Sequence, residues 1–257
     1  MKSTVSTPLR VRQLEFGGPR PLFCIPLVAT DLASLVDQAT VAVQLAPDVI
    51  EWRADFFGGA SADALREAAG QLRALAGDTA IIFTLRAKNE GGAHDMSQAT
   101  RRELIEAVLR TGTIDIVDLE LANEPSFLEA LMELARSCGT RVILAMHNFA
   151  ETPDSDVLAG HIRAMRALGA DIAKIAVMPK TADDVLRLLQ VTAQARREFP
   201  ELPLSTMSMG ALGSITRVAG FLYGSDMAFA VGKAASAPGQ IPIADARRAT
   251  DLLLHYS

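Results

Sequence analysis

The chain has 257 residues, 49% hydrophobic and 21% charged, which excludes a disordered or collagen-like polymer. Lys plus Arg number 25 against 30 Asp plus Glu, a formal charge of −5, so the basic excess of a nucleic-acid binder is missing. Mean hydropathy is +0.22, yet no apolar run approaches the ~20 residues of a membrane span. The expected partner is therefore a small molecule, with neither nucleic acid nor membrane; a cleft can still be locally positive for an anion. The first 20 residues hold Arg10, Arg12, Glu15 and Arg20 and no signal-like apolar core, so a cytoplasmic protein is expected. Cys24 and Cys138 lie in apolar runs and are expected to be buried, reduced thiols.

Short β-branched apolar runs alternate along the chain with longer Ala/Leu/Arg/Glu-rich stretches of helical spacing. Leu9–Arg12 with Gly17-Gly18 is expected to form a hairpin closing the bottom of the fold. The spacing then predicts a strand at Leu22–Ala29 and a helix at Asp31–Leu45. Asp48–Arg53 is followed by Ser61–Ala76, with Ser61 as cap, and Ala80–Leu85 by Ser97–Arg110. Ile114–Leu119 precedes Glu124–Ser137, and Val142–Ala145 precedes Asp154–Leu168. Ile172–Val177 leads to Ala182–Arg196, and Leu204–Met207 to a shorter helix near Ser214–Phe221. Met227–Val231 and Ile243–His255 complete the series. Gly77, Gly112, Gly139 and Gly169 stand where helices should stop. Eight strand–helix units imply a parallel sheet closed into a (β/α)8 barrel, as a single domain over 1–257. An open doubly wound sheet would want a dinucleotide loop after the first strand; that place reads Val28-Ala29-Thr30-Asp31, and no GxGxxG occurs.

In such barrels the active site lies at the carboxyl ends of the strands. Lys174 stands mid-strand among Ile172, Ala173, Ile175 and Ala176, on the face of Ile172 and Ala176. Desolvated there, its amine is a candidate nucleophile toward a ketone; the competing reading is a lysine paired with a buried carboxylate. His147 ends the fifth strand, as a general acid/base or as a hydrogen-bonded core histidine. Glu51 and Arg53 share a face and, with Arg86, suit a carboxylated, polyhydroxylated ligand or else form an internal ion-pair layer. Glu90, beside Lys88 and Gly91-Gly92, either orients His147 or is a surface loop charge. Arg217 could grip an anion beside a helix start. Ser236 and Gln240, in the loop Lys233–Gln240, could hydrogen-bond ligand oxygens, or that loop is a plain connection. No HxH, HExxH or Cys/His set exists, so no metal site is expected.

Taken together these segments resemble the type I 3-dehydroquinate dehydratase family, lyases of the shikimate pathway. The resemblance is carried by Glu51–Asp55, Phe83–Arg86 with Lys88–Gly92, Asp118–Leu121, His147-Asn148-Phe149, Thr152-Pro153, Gly169–Pro179, Thr206–Met209 and Ala235–Ile241. It implies dehydration of 3-dehydroquinate to 3-dehydroshikimate, a step of chorismate and aromatic amino acid biosynthesis. Lys174 would form an imine with the substrate ketone. His147 would move the proton, and Glu90 would hold or tune His147. Arg217 and Gln240 would fix the substrate carboxylate, while Glu51, Arg53, Arg86 and Ser236 would hold hydroxyl groups. The lysine supplies the electron sink, so no cofactor is implied, and a homodimer is. Two positions depart from the family. Pro26 stands where a Ser ligand contact is common, and Asn148 stands where Asp often follows the histidine. Activity is expected to survive, because Glu90 and Glu120 remain available. Two other readings stay open: another imine-forming barrel enzyme such as an aldolase, although Ser208–Gly213 makes a weak phosphate cradle, and a non-catalytic ligand-binding barrel.

Overall fold

Strands form where apolar residues run without interruption, because each strand of a parallel sheet is covered on both faces. The structure, a computed structural model, describes residues 8–256. A hairpin of β1 (Leu9–Val11) and β2 (Leu14–Phe16) comes first. Then follow β3 (Leu22–Leu27), α1 (Leu32–Gln44), β4 (Val49–Arg53), α2 (Ala62–Ala76), β5 (Ala80–Thr84), α3 (Gln98–Leu109) and β6 (Ile116–Glu120). Next are α4 (Pro125–Ser137), β7 (Arg141–Asn148), α5 (Ser155–Ala167), β8 (Ile172–Val177), α6 (Ala182–Glu198) and β9 (Leu204–Ser208). The chain ends with α7 (Gly210–Gly213), α8 (Ile215–Ala219), β10 (Met227–Phe229) and α9 (Ile243–His255). Ser61 caps α2 by accepting the Ala64 N–H, and Gly77, Gly112, Gly139 and Gly169 take positive φ where helices stop.

Among the described residues the large sheet has eight parallel strands, ordered β10-β3-β4-β5-β6-β7-β8-β9. Its two edges meet without a regular ladder. Asp226 N–H donates to Leu204 O (2.6 Å), Thr206 N–H to Ser225 Oγ (3.0 Å), and Ser205 Oγ to Met227 O (3.0 Å). These bonds close the sheet into the expected (β/α)8 barrel. The buried Arg196 of α6 ties the seam by pairing with Asp226, whose carboxylate also accepts the Leu204 N–H (2.9 Å). Arg196→Met would leave that buried carboxylate without its cation. The expected loss is about 3–5 kcal/mol, read as a lower urea midpoint at unchanged slope.

Alternation along the strands splits the core in two. One face packs on the helices; the other fills the barrel, with Leu22, Cys24, Val49, Ile116, Ile143 and Ile172 at its lower end. Val11 and Phe16 of the hairpin join this inner cluster, so the hairpin plugs the bottom as expected. Two residues further up the same inward faces stand Glu51, Asp118 and Lys174, and two further again Arg53, Glu120 and, on β7, His147. The barrel interior thus changes from hydrocarbon to charge partway along its strands.

Three local expectations need correction. The helix near Ser214–Phe221 is broken into α8 and a 3-10 turn at Gly220–Tyr223, and a separate short helix, α7, precedes it. Arg217 stands in the first turn of the five-residue α8. The fifth barrel strand runs on to Asn148, which places His147 inside the sheet. Cys138 is only half-buried, because it follows the last turn of α4 near the surface, whereas Cys24 is fully buried.

Candidate active site

Pairing between β7 and β8 sets Ala145 opposite Lys174 and His147 opposite Ala176, so His147 stands one inward position above the lysine. Lys174 Nζ lies 2.8 Å from Asp118 Oδ2 and 3.5 Å from Glu51 Oε1, with the Phe229 ring centroid 4.4 Å away. Both readings of this lysine therefore meet: it is paired with carboxylates, and it lines the cavity. Asp118 turns its other oxygen to Arg86 Nη2 (2.8 Å), and Arg86 Nη1 reaches Glu120 Oε1 (2.9 Å). Thr84 Oγ1 donates to Glu51 Oε1 (2.9 Å). Buried ions persist only where such bonds replace lost hydration. Arg86 and Lys174 together hold the Asp118 carboxyl below its ordinary pKa against the pull of burial.

His147 is held twice by one carboxylate oxygen. Its backbone N–H and its Nδ1 both lie 3.0 Å from Glu90 Oε2. This leaves Nε2 for a ligand. Burial, then the nearby Arg86, Lys174 and Arg53 charges, push the imidazole well below its usual pKa, so it stands neutral. Burial raises Glu90 to about 7, with Arg86 opposing. Phe149 stacks on the imidazole at 6.5 Å and 15°. The loop carrying Glu90 needs its glycines: Gly91 sits at φ +88, and a Cβ on Gly92 would lie 2.2 Å from Arg86 O.

Arg53 is clamped by Asp55 through bonds of 2.7 and 2.8 Å. Arg217 is different. It is buried, donating to Phe229 O (3.2 Å) and Pro238 O (3.0 Å), and among the described residues no carboxylate pairs with it. Its Nε has no partner, and burial lowers its pKa to about 10. A buried guanidinium with spare donors is an anion receptor. Across the cavity mouth, the loop from Lys233 folds on itself: Ser236 N–H donates to Gln240 Oε1 (2.9 Å) and Gln240 Nε2 to Ser236 Oγ (3.1 Å).

Lys174, His147, Glu90, Glu51, Arg53, Arg86, Arg217, Ser236 and Gln240 all line one cavity. Residues left out of the expected set also matter here. Asp118 was visible as an inward position two before Glu120 on β6, and its bond to Lys174 makes it the nearest carboxylate to the amine. Phe229, Met207 and Met209 supply apolar wall, and nothing in their sequence context separates them from core. Glu120 does not reach the histidine; it serves Arg86, Arg101, Asn123 and the Ala87 N–H. Asn148 accepts the N–H groups of Ala150 and Glu151, so it shapes the turn after β7. Pro26 is buried opposite Glu51 and is not part of the cavity wall. Among the described residues no cluster of His, Cys, Asp and Glu is arranged to hold a metal, and no helix is long and apolar enough to cross a membrane.

Comparison with known proteins bears on this cavity. Residues 23–257 match the family model described as type I 3-dehydroquinase. A protein named 3-dehydroquinate dehydratase from Geobacillus thermodenitrificans is 44% identical over 251 residues, covering 97% of each chain. The crystal structure of 3-dehydroquinate dehydratase from Geobacillus kaustophilus superposes with a TM-score of 0.97 at 42% identity, over 100% of both chains. That of the type I enzyme from Clostridium difficile, with covalently modified comenic acid, gives 0.93 at 31% identity, over 97% and 98% of the two chains.

Proposed function

The chain belongs to the type I 3-dehydroquinase family, and from that premise we propose how its cavity carries out the reaction. It dehydrates 3-dehydroquinate in the shikimate pathway. Lys174 gives up its ammonium proton and adds through Nζ to the substrate ketone; with that proton returned, loss of water leaves a protonated imine. That cation acidifies the adjacent C–H. His147 Nε2 takes the proton, and the electron pair enters the enamine. The pair then expels the hydroxyl group, which leaves as water with the proton from His147. Hydrolysis of the conjugated imine frees 3-dehydroshikimate and restores the amine. No proton, oxidant or cofactor is consumed.

The observation that carries this reading is one cavity holding Lys174, a neutral His147 and the carboxylate-free cation Arg217. Arg217 takes the substrate carboxylate, joined by Gln240. Glu51, Arg53, Arg86 and Ser236 take hydroxyl groups, which requires the Ser236–Gln240 pair to open toward the ligand. The family resemblance extends the reading to a homodimer in the cytoplasm; sedimentation at twice the 27.4 kDa chain mass is the check on the first part. The central test is borohydride reduction in the presence of 3-dehydroquinate, followed by peptide mapping. An adduct on Lys174 is expected; an active enzyme without one would remove the imine.

A pH dependence follows from Glu90. Ionised, it accepts the Nδ1 proton and leaves Nε2 basic. Protonated, it donates to Nδ1 and forces the proton onto Nε2, the wrong tautomer for a base. Its proton is lost near 7, so kcat/KM is expected to rise with pH through about 7 and level off above. Glu90→Gln removes that titration, and its profile should lose this limb.

A further inference from the structure

Arg101 belongs to α3, outside the barrel, and is absent from the wall of the catalytic cavity. It is nevertheless only 3% exposed, and its bonds run to the carboxyl ends of β5 and β6. Nε and Nη2 donate to Leu85 O (3.2 and 3.0 Å), and Nη1 donates to Asn123 Oδ1 (2.9 Å). Nη2 also pairs with Glu120 Oε2. Glu120 spends its other oxygen on Arg86 Nη1 (2.9 Å) and the Ala87 N–H (3.0 Å). Arg86 holds Asp118, and Asp118 holds Lys174. Buried charges therefore alternate in sign from Arg101 through Glu120, Arg86 and Asp118 to Lys174. The same guanidinium fixes both ends of Leu85–Ala87, directly at Leu85 O and through Glu120 at the Ala87 N–H. From Ala87 springs the loop that carries Glu90.

We propose that Arg101 is a positioning residue for the dehydration, setting from outside the cavity where Lys174 and Glu90 stand. The inference rests on the reading that Lys174 and the His147–Glu90 pair are the reacting groups. The planar fork matters, because one group must serve Leu85 O, Asn123 and Glu120 at once; a lysine cannot present donors in that plane. Without the cation, Glu120 competes with Asp118 for Arg86, and the amine loses its fixed neighbour. Glu120 also becomes a less compensated negative charge near Glu90. Among the described residues the charged or titratable groups near Glu90 are Arg86, Glu120, Asp118 and His147, with Lys88 on its own turn and Arg53 on the adjoining Gly91 O. Of these, only the balance at Glu120 changes, and more negative potential makes Glu90 hold its proton to higher pH.

The test compares wild type, Arg101→Met, Arg101→Lys and the double variant Arg101→Met with Glu120→Gln. Each is assayed for kcat and KM across the neutral pH range, for borohydride trapping on Lys174, and for folding by circular dichroism. For Arg101→Met, kcat is expected to fall about 10–100-fold with KM changed far less, because a small misplacement of reacting groups has that size of effect. Its acid limb should move to higher pH, and removing the Glu120 charge in the double variant should bring the limb back. Arg101→Lys keeps the charge and loses the fork, so its limb should stay near wild type while kcat drops several-fold. Wild-type kcat with an unmoved limb in folded Arg101→Met overturns the proposal. So does a loss of activity that merely tracks the unfolded fraction. Should Arg101→Met not fold, wild-type kcat in Arg101→Lys overturns it instead. A wild-type enzyme that is active yet yields no adduct on Lys174 is a different failure, that of the imine reading.

Discussion

Lys174→Met is expected to lower kcat by roughly 10^4–10^6-fold, the range seen when a covalent nucleophile is removed. Methionine nearly matches the volume of the lysine stem, and Phe229 and Ala176 still enclose it. Asp118 keeps its bond to Arg86, so the variant retains one cation for that buried carboxylate and should remain folded. Binding should survive far better than turnover, because Arg217, Ser236 and Gln240 are untouched. Borohydride in the presence of 3-dehydroquinate should add no mass. Isothermal titration with the substrate, beside the rate assay, checks this: a variant that neither binds nor folds would show that Lys174 holds the structure rather than the chemistry.

His147→Ala is expected to lower kcat by about 10^2–10^4-fold, the contribution of a positioned general base and acid. It should fail at a different step from the lysine variant. Glu90 stays anchored, because one of its two bonds comes from the residue 147 backbone N–H, which alanine keeps. Lys174 keeps Asp118 and Glu51, so imine formation proceeds and proton removal does not. Reduction should therefore trap substrate on Lys174 in a variant that hardly turns over. If trapping falls in parallel with kcat, His147 serves imine formation instead, and its assignment to the C–H proton is wrong.

These contrasts depend on features that differ in how openly the sequence carries them. Lys174 stood out because a lysine between Ile172 and Ala176 has no route to water from a strand covered on both faces. His147 stood out in the same way, at the end of the run Val142–Ala145. Glu51 and Arg53 fell on one face because strand side chains repeat every two residues. Helix stops were readable at Gly77, Gly112, Gly139 and Gly169, where the backbone takes positive φ. The short helix α7 was not, since Gly210–Gly213 carries no helical signal and is shaped by contact with the last loop, where Gly210 N–H donates to Pro238 O (3.2 Å). There Gly239 approaches so closely that a Cβ would lie 2.2 Å from Gly210 O.

Residue order alone sets the alternation of strand and helix, the barrel, and the inward faces on which the ionisable groups lie. These follow from periodicities of two and 3.6 residues, which are local properties. Which of those groups are paired was decided only in three dimensions. Lys174 meets Asp118 across 56 residues, His147 meets Glu90 across 57, and Arg101 meets Glu120 across 19, between elements whose register no local pattern encodes. That Arg217 meets no carboxylate among the described residues was likewise invisible, because a counter-charge is withheld only by where the carboxylates of the folded barrel come to rest.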